Sequence, residues 1–517
     1  MQSTTLVFLL FCTWGTASPI VETPYGPIEG FEFKSADVFL GIPYARPPVG
    51  DRRLERPQKP DKWNETLEAK NFSATCVPAV KSLENEINNE DCLYLNVVTP
   101  QNTSNETALP VFVFIHGGAF VLGSSTYYGY KEIVRNFVTK GLVFVTLNYR
   151  LGPLGFLTTG DNVISGNFGL WDQKAALEFV HEVIASFGGD PQAITVAGES
   201  SGAASAASLA LSPLTNELFH QSIQMSGSMF AQWSIDVKIE AKSKEFAATL
   251  NCSGSSEELK ECLKSKPTGD FANGGATING ARIDGDFFPK DIVSLAKDAP
   301  PISSIEGAAD AETGFFVMLP IFNYIPEIAW DTYGENITKA FFDNITADVD
   351  GLSDLMLLFY IDSAAPESRQ DPWFYPNQII TATTDIFFNV PLYHEAMVKY
   401  NQNATVYVYR ETYYDKSARG NSSIKGAFHK NELEYLFLPL TDESDDGKRF
   451  QKAIVDGFAS FAKTGVPIVD GNEWKPITCH NIKYMELSAH SSMKNHFLKQ
   501  NIEFWTKQSL MLLISIN

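Results

Sequence analysis

Ala193-Ile194-Thr195-Val196-Ala197 leads without a break into Gly198-Glu199-Ser200-Ser201-Gly202, and Ala203-Ala204-Ser205-Ala206-Ala207-Ser208-Leu209-Ala210-Leu211 follows. The first five residues have the apolar, partly β-branched composition of a buried strand, and the last nine are rich in strong helix formers. Between them the G-x-S-x-G pattern predicts a sharp strand-to-helix turn, since the flanking glycines give the backbone room that a Cβ would fill. Such a turn pushes a serine hydroxyl into a cleft. The helix behind it then offers unpaired N–H groups and a positive dipole end to developing negative charge. Ser200 is therefore the candidate nucleophile. A small-residue turn that merely packs helix on strand is the plainer alternative, and the strand and helix on either side argue against it.

Upstream, Asp172 to Phe187 carries Ala176, Leu177, Val180, Val183, Ile184 and Phe187 at helical spacing, and Gly188-Gly189 ends the run. Leu142-Val143-Phe144-Val145-Thr146-Leu147 reads as a buried strand before that helix, so the chain enters the elbow through a βαβ unit. A further buried strand, Pro110-Val111-Phe112-Val113-Phe114-Ile115, runs into His116-Gly117-Gly118-Ala119-Phe120. Small residues in a loop at a strand end let backbone N–H groups approach a tetrahedral oxyanion closely. The expected donors are the backbones of Gly118 and Ala119, with a third from Ser201.

The stretch from Phe187-Gly188-Gly189-Asp190-Pro191 through Gly202 resembles the active-site signature of the type-B carboxylesterases. Glu90-Asp91-Cys92-Leu93-Tyr94-Leu95-Asn96 resembles that family's second signature. Gly41-Ile42-Pro43-Tyr44-Ala45, Asn148-Tyr149-Arg150 and Gly166-Asn167-Phe168-Gly169-Leu170-Trp171-Asp172-Gln173 also match, so the likeness runs from Pro24 to Trp505. It implies an α/β-hydrolase fold, with a mostly parallel central sheet flanked by helices and large insertions. It also implies hydrolysis of carboxylic esters through an acyl-enzyme at Ser200, with no cofactor. Narrower activities of the same class are a cholinesterase, a lipase or a hormone esterase. A non-catalytic adhesion protein on this fold is the alternative from another class, and its kind generally lacks a triad residue.

The resemblance extends to the remaining triad members, which follow the nucleophile in the order acid, then histidine. In Glu306-Gly307-Ala308-Ala309-Asp310-Ala311-Glu312, Glu312 is similar in place to the family's glutamate, and Asp310 is its rival. Five histidines lie beyond Glu312, namely His394, His429, His480, His490 and His496. His429, in Gly426-Ala427-Phe428-His429-Lys430-Asn431-Glu432, is similar to the family's base. Glu199, beside the nucleophile, is expected to add negative potential near the imidazolium and to order water. Ser226 resembles a serine that supports the acid; a plain turn or capping serine is the alternative. Three positions depart from the family pattern. Ala119 and Lys430 stand where glycines are usual, and Ser201 stands where alanine is common.

Length would divide 517 residues among several domains, yet no linker, repeat or low-complexity tract appears. Because Ser200 and His429 must meet, residues 18–517 are expected to form one domain behind a signal peptide at 1–17. Leu6 to Phe11 is the apolar run of that signal and Gly15-Thr16-Ala17 its small-residue cleavage site. Neither that run nor Leu510 to Ile516 is long enough to span a bilayer. The resulting expectation is a protein secreted or held in the secretory lumen.

The cysteines and glycosylation sequons fit that compartment. By the resemblance Cys76 pairs with Cys92 and Cys252 with Cys262, leaving Cys479 either a buried free thiol or an intermolecular partner. N-x-S/T acceptors fall at Asn64, Asn71, Asn102, Asn105, Asn251, Asn336, Asn344, Asn403 and Asn421. No Cys-x-x-Cys or His-Glu-x-x-His spacing suggests a metal. A formal charge of −21 argues against nucleic acid or an anionic membrane as partner and leaves a small ester as the expected one. Cholinesterases carry a choline-binding tryptophan in the loop that here runs from Val77 to Asp91. No aromatic residue lies in this stretch, so choline specificity is not expected.

Overall fold

Along Leu109–Ile115 the side chains sort by parity. Val111, Val113 and Ile115 enter one apolar core, while Phe112 and Phe114 enter another. A strand places successive side chains on opposite faces, so this continuous apolar run belongs to a sheet covered on both sides. Each fully buried Val or Phe stabilises the assembly by about 1.5–3 kcal/mol.

The computed structural model describes residues 18–80, 87–101, 108–272, 275–314, 336, 338–339, 342–343, 351–371, 373–417, 424–479 and 481–514. In chain order the strands of the main sheet are β1 (Phe31–Phe33), β2 (Ala36–Pro43), β3 (Tyr94–Pro100), β4 (Leu109–Ile115), β5 (Val143–Leu147) and β6 (Gly189–Glu199). They continue as β7 (Gln221–Met225), β8 (Ser303–Ala309), β9 (Val406–Glu411), β10 (Tyr484–Leu487) and β11 (Ser492–Lys494). Across this 11-stranded sheet the order is β11-β10-β9-β8-β7-β6-β4-β5-β3-β2-β1. From β5 through β4 and β6 to β10 every pairing is parallel; β1, β2, β3 and β11 pair antiparallel at the margins. This is the α/β-hydrolase architecture.

Five helices matter for the site: α1 (Phe168–Val183), α2 (Ser201–Leu211), α3 (Val390–Asn401), α4 (Asn431–Phe437) and α5 (Asp445–Thr464). Helix α2 is buried along its whole length, which explains its alanine and serine content and its lack of a polar face. It packs with α1 in the core of Val111, Val113, Ile194 and Val196, whereas α5 joins the core of Phe112, Phe144 and Met225 through Phe450, Ile454 and Phe458. Helix α1 starts four residues before the start read from periodicity. Asn167 takes φ 55° ahead of it, and its side chain is held by the backbone of Arg282, so the turn falls earlier than the apolar pattern suggests.

Cys76–Cys92 and Cys252–Cys262 are disulfide-bonded, with Cα separations of 5.0 and 5.6 Å. Cys479 corrects the expectation of a buried thiol: Thr478 and Asn481 bridge each other, and Cys479 lies exposed in the turn between them. Asn64, Asn71, Asn251, Asn336 and Asn403 are all exposed, while Asn102, Asn105, Asn344, Asn421 and the signal segment lie outside the described residues. Among the described residues no helix is long and apolar enough to cross a membrane.

The cysteine geometry sets a chemical test. Iodoacetamide applied to the folded protein without reductant should alkylate Cys479 and spare Cys76, Cys92, Cys252 and Cys262, as read by peptide mass mapping. A Cys479 that reacts only after denaturation would contradict its exposed position.

Candidate active site

The chain leaves β4 for β5 on one side and returns to β6 on the other, so the sheet has its topological switch between β4 and β6. Crevices form at the carboxyl ends of strands at such a point. Two of the motifs read from sequence open there. His116 to Leu122 follows β4, and the elbow Gly198 to Gly202 follows β6.

The elbow is forced by close packing of main chain on main chain. A Cβ on Gly202 would strike the carbonyl oxygen of Ile115, and one on Gly198 would strike Gly202 itself. The turn is closed at Ser200, which adopts φ 58° and ψ −124° and donates its N–H to Met225 O at 2.8 Å. A non-glycine residue in that region is strained and persists only where its surroundings over-determine it. Ser200 is 8% exposed.

The glycine loop is bent in the same way. Ala119 and Phe120 have φ of 54° and 60°, after Gly118 at 113°. Hydrogen bonds hold it from several sides: Val121 N and Leu122 N donate to Gly118 O, Gly152 N to Phe120 O, and Ala79 N to Val121 O. Ser201 Oγ accepts from Phe120 N at 3.2 Å, tying the elbow to the loop. Sequence reading treated Ser201 only as a backbone donor and missed this use of its hydroxyl. The N–H groups of Gly118, Ala119 and Ser201 meet no protein acceptor among the described residues. The stretch from Val77 to Asp91 begins beside this loop, and residues 81–86 of it lie outside the described residues.

Glu312 and His429 lie beyond the ends of β8 and β9. His429 Nδ1 is 2.6 Å from Glu312 Oε2, Glu312 Oε1 accepts from Ala309 N at 2.7 Å, and His429 N donates to Glu312 O at 3.2 Å. The other ring nitrogen, Nε2, is 3.1 Å from Glu199 Oε1, which puts the imidazole against the elbow. Asp310 turns elsewhere: its Oδ1 accepts from Ala427 N at 2.7 Å and its Oδ2 faces Arg410 at 4.0 Å. Lys430 has φ 73°, the left-handed conformation that favours glycine at this place, and still opens α4 directly after the histidine. Ser226 differs from the expectation. Its hydroxyl reaches Glu432 Oε1, in the first turn of α4, at 3.4 Å and not Glu312.

Burial opposes charge on His429, yet Glu199 and then Glu312 outweigh it, and the imidazole pKa is raised above its ordinary value. Burial likewise raises the Glu199 carboxyl, against the pull of His429. His116, also buried, is pushed down to about 4 and is neutral; its ring stacks on Tyr149 with centroids 4.4 Å apart.

A family model described as "Carboxylesterase family" matches residues 17–505. Gut esterase 1 of Caenorhabditis briggsae is 34% identical over 526 residues, covering 95% of this chain and 92% of that protein. Gut esterase 1 of Caenorhabditis elegans is 32% identical, covering 97% and 94%. Bile salt-activated lipase of Homo sapiens is 31% identical, covering 98% of this chain and 72% of that protein. With this match, the α/β-hydrolase sheet and the elbow at its switch point, the chain belongs to the carboxylesterase family and is a carboxylic ester hydrolase.

Proposed function

We propose that this protein is a secreted serine carboxylesterase in which Ser200, His429 and Glu312 form the catalytic triad. The observation that carries the reading is the 2.6 Å contact between Glu312 and His429 Nδ1, made while the other face of the same imidazole stands at the elbow. A serine hydroxyl is a weak nucleophile near neutral pH, so it needs a base. With Nδ1–H donated to Glu312, the neutral imidazole presents Nε2 as the acceptor for the Ser200 proton. Attack on the ester carbonyl gives a tetrahedral oxyanion, for which the N–H groups of Gly118, Ala119 and Ser201 are the donors. The imidazolium then protonates the leaving alcohol, and water repeats the path in reverse to release the acid. Glu199 adds a second negative charge beside the imidazolium. Secretion is supported by the apolar leader, two disulfides and exposed sequon asparagines. Residues 18–517 are read as one catalytic unit, since a single sheet takes strands from Phe31 to Lys494.

Three expected outcomes test this reading. An aryl-ester-mimicking organophosphonate should label Ser200, and Ser200→Ala should lower kcat by about 10⁴-fold or more. Label on another residue, or near-normal turnover in the mutant, would reject the nucleophile.

The acid is separated from its neighbour by isosteric amides. Glu312→Gln should lower kcat by about 10²–10⁴-fold with the fold intact, through loss of imidazolium stabilisation. Asp310→Asn should lose far less, because Asp310 serves the Ala427 backbone and Arg410. A larger loss at Asp310 would reverse the assignment.

The pH profile follows from the sign of the His429 shift. The base must be neutral, so kcat/KM rises as pH passes upward through the raised His429 pKa. Glu199→Gln removes one of the two carboxylates that raise it, and the acidic limb should move to lower pH by about one unit. A limb that stays in place, or moves upward, would contradict this electrostatic role.

A further inference from the structure

Two buried carboxyl groups lie next to the triad without belonging to it. Glu411 ends β9 and Glu432 stands in the first turn of α4, and both are fully buried, as are Glu199 and Glu312. The groups facing the pair are Tyr409 on β9, Glu312 beyond β8, Glu199 at the elbow, His429 ahead of α4 and Tyr435 on α4; Lys430 acts on His429 and Glu199 from an exposed position. Two carboxylates cannot both remain ionised in such a place, since burial and their mutual repulsion each favour the neutral form.

Their hydrogen bonds show how the conflict is met. Glu411 Oε1 accepts from Asn431 Nδ2, which also reaches Tyr413 O at 2.9 Å. Glu432 Oε1 accepts from Tyr409 OH at 3.3 Å and from Ser226 Oγ at 3.4 Å. The remaining oxygens, Glu411 Oε2 and Glu432 Oε2, are buried and meet no N–H or hydroxyl donor among the described residues, and Asn431, which holds Glu411, directly precedes Glu432 in the chain. A proton held between the two carboxyl groups would satisfy these oxygens.

We propose that Glu411 and Glu432 hold one proton in common, Glu411 donating it, so that the pair carries a single negative charge whose field acts on His429 as a positioning element for the base. Burial first pushes both carboxyls upward; Glu432 and then Glu312 add to it at Glu411, and Glu312 and then Glu199 add to it at Glu432, in keeping with one retained proton. The arrangement limits the negative charge around the imidazole to what Glu199, Glu312 and one shared carboxylate supply. It rests on the reading of His429 as the base.

The two positions answer differently to amide substitution. Glu411→Gln supplies an N–H donor in place of the acid proton and leaves the Glu432 charge, so the acidic limb of kcat/KM should stay where it is. Glu432→Gln removes that charge, so the imidazolium is favoured less and the limb should move to lower pH by about half a unit. Titration with the phosphonate counts working sites in each preparation. A limb moved equally by both variants, or by neither, would overturn the proposal. Should Glu432→Gln not fold, the infrared difference between wild type and Glu411→Gln at neutral pH decides. Loss of a protonated carboxyl band is expected, and loss of a carboxylate band instead would overturn the pair. Failure of the underlying reading shows itself separately, as retained activity in His429→Ala.

Discussion

The carbonyl of Ile115 at the end of β4 lies directly on the α-carbon of Gly202 in the first turn of α2. This main-chain contact fixes the distance between the helix and the sheet, and so determines how sharply the chain must turn at Ser200. Ser200 takes its left-handed conformation because no gentler path joins a strand that deep to a helix that close. The glycine loop leaves the same end of β4, so its donors inherit their place from the same contact. Ser201 then couples the two segments through its hydroxyl.

Electrostatics around the imidazole form the second constraint. Four glutamates with no side-chain exposure surround one histidine, and the protein accommodates them by different means. Glu312 is held by a backbone N–H and the imidazole, Glu199 lies against Nε2, Glu411 accepts from Asn431, and Glu432 accepts from Tyr409 and Ser226. An imidazole placed among so many carboxyl groups ionises at a pH set by their combined charge. The low dielectric of the site makes each of these charges count for more than it would at the surface.

Much of this was legible in the sequence because the constraints are local. The strand, G-x-S-x-G turn and alanine-rich helix follow one another in the chain, and the apolar runs at 111–115 and 143–147 have the composition of doubly covered strands. Glu312 and His429 could be named only through family likeness, since nothing near them in the chain reveals that β8 and β9 end side by side. Glu411 was not legible: in a strand its parity assigns it to a buried face, where an acid looks misplaced, and only its long-range partner makes sense of it. The buried-thiol branch of the Cys479 expectation failed because a lone cysteine suggests a core position, while here it lies exposed beside Thr478. Ser226 was misread for a related reason. Its hydroxyl meets Glu432 on α4, a partner 206 residues away that nothing near Ser226 in the chain reveals.

Ala119 and Phe120 are consecutive left-handed residues that carry side chains, and each costs about 1–2 kcal/mol relative to ordinary backbone. The strain is offset by a handful of hydrogen bonds from Ser201, Gly152, Ala79 and the loop itself. Local opening of this loop therefore needs far less free energy than melting the sheet beneath it. On gradual heating the enzyme is expected to fall silent while its circular dichroism is still that of the native fold, and cooling from that stage should restore it. Thermal inactivation and thermal unfolding would then be two separate events, with the first residing in a few residues after β4.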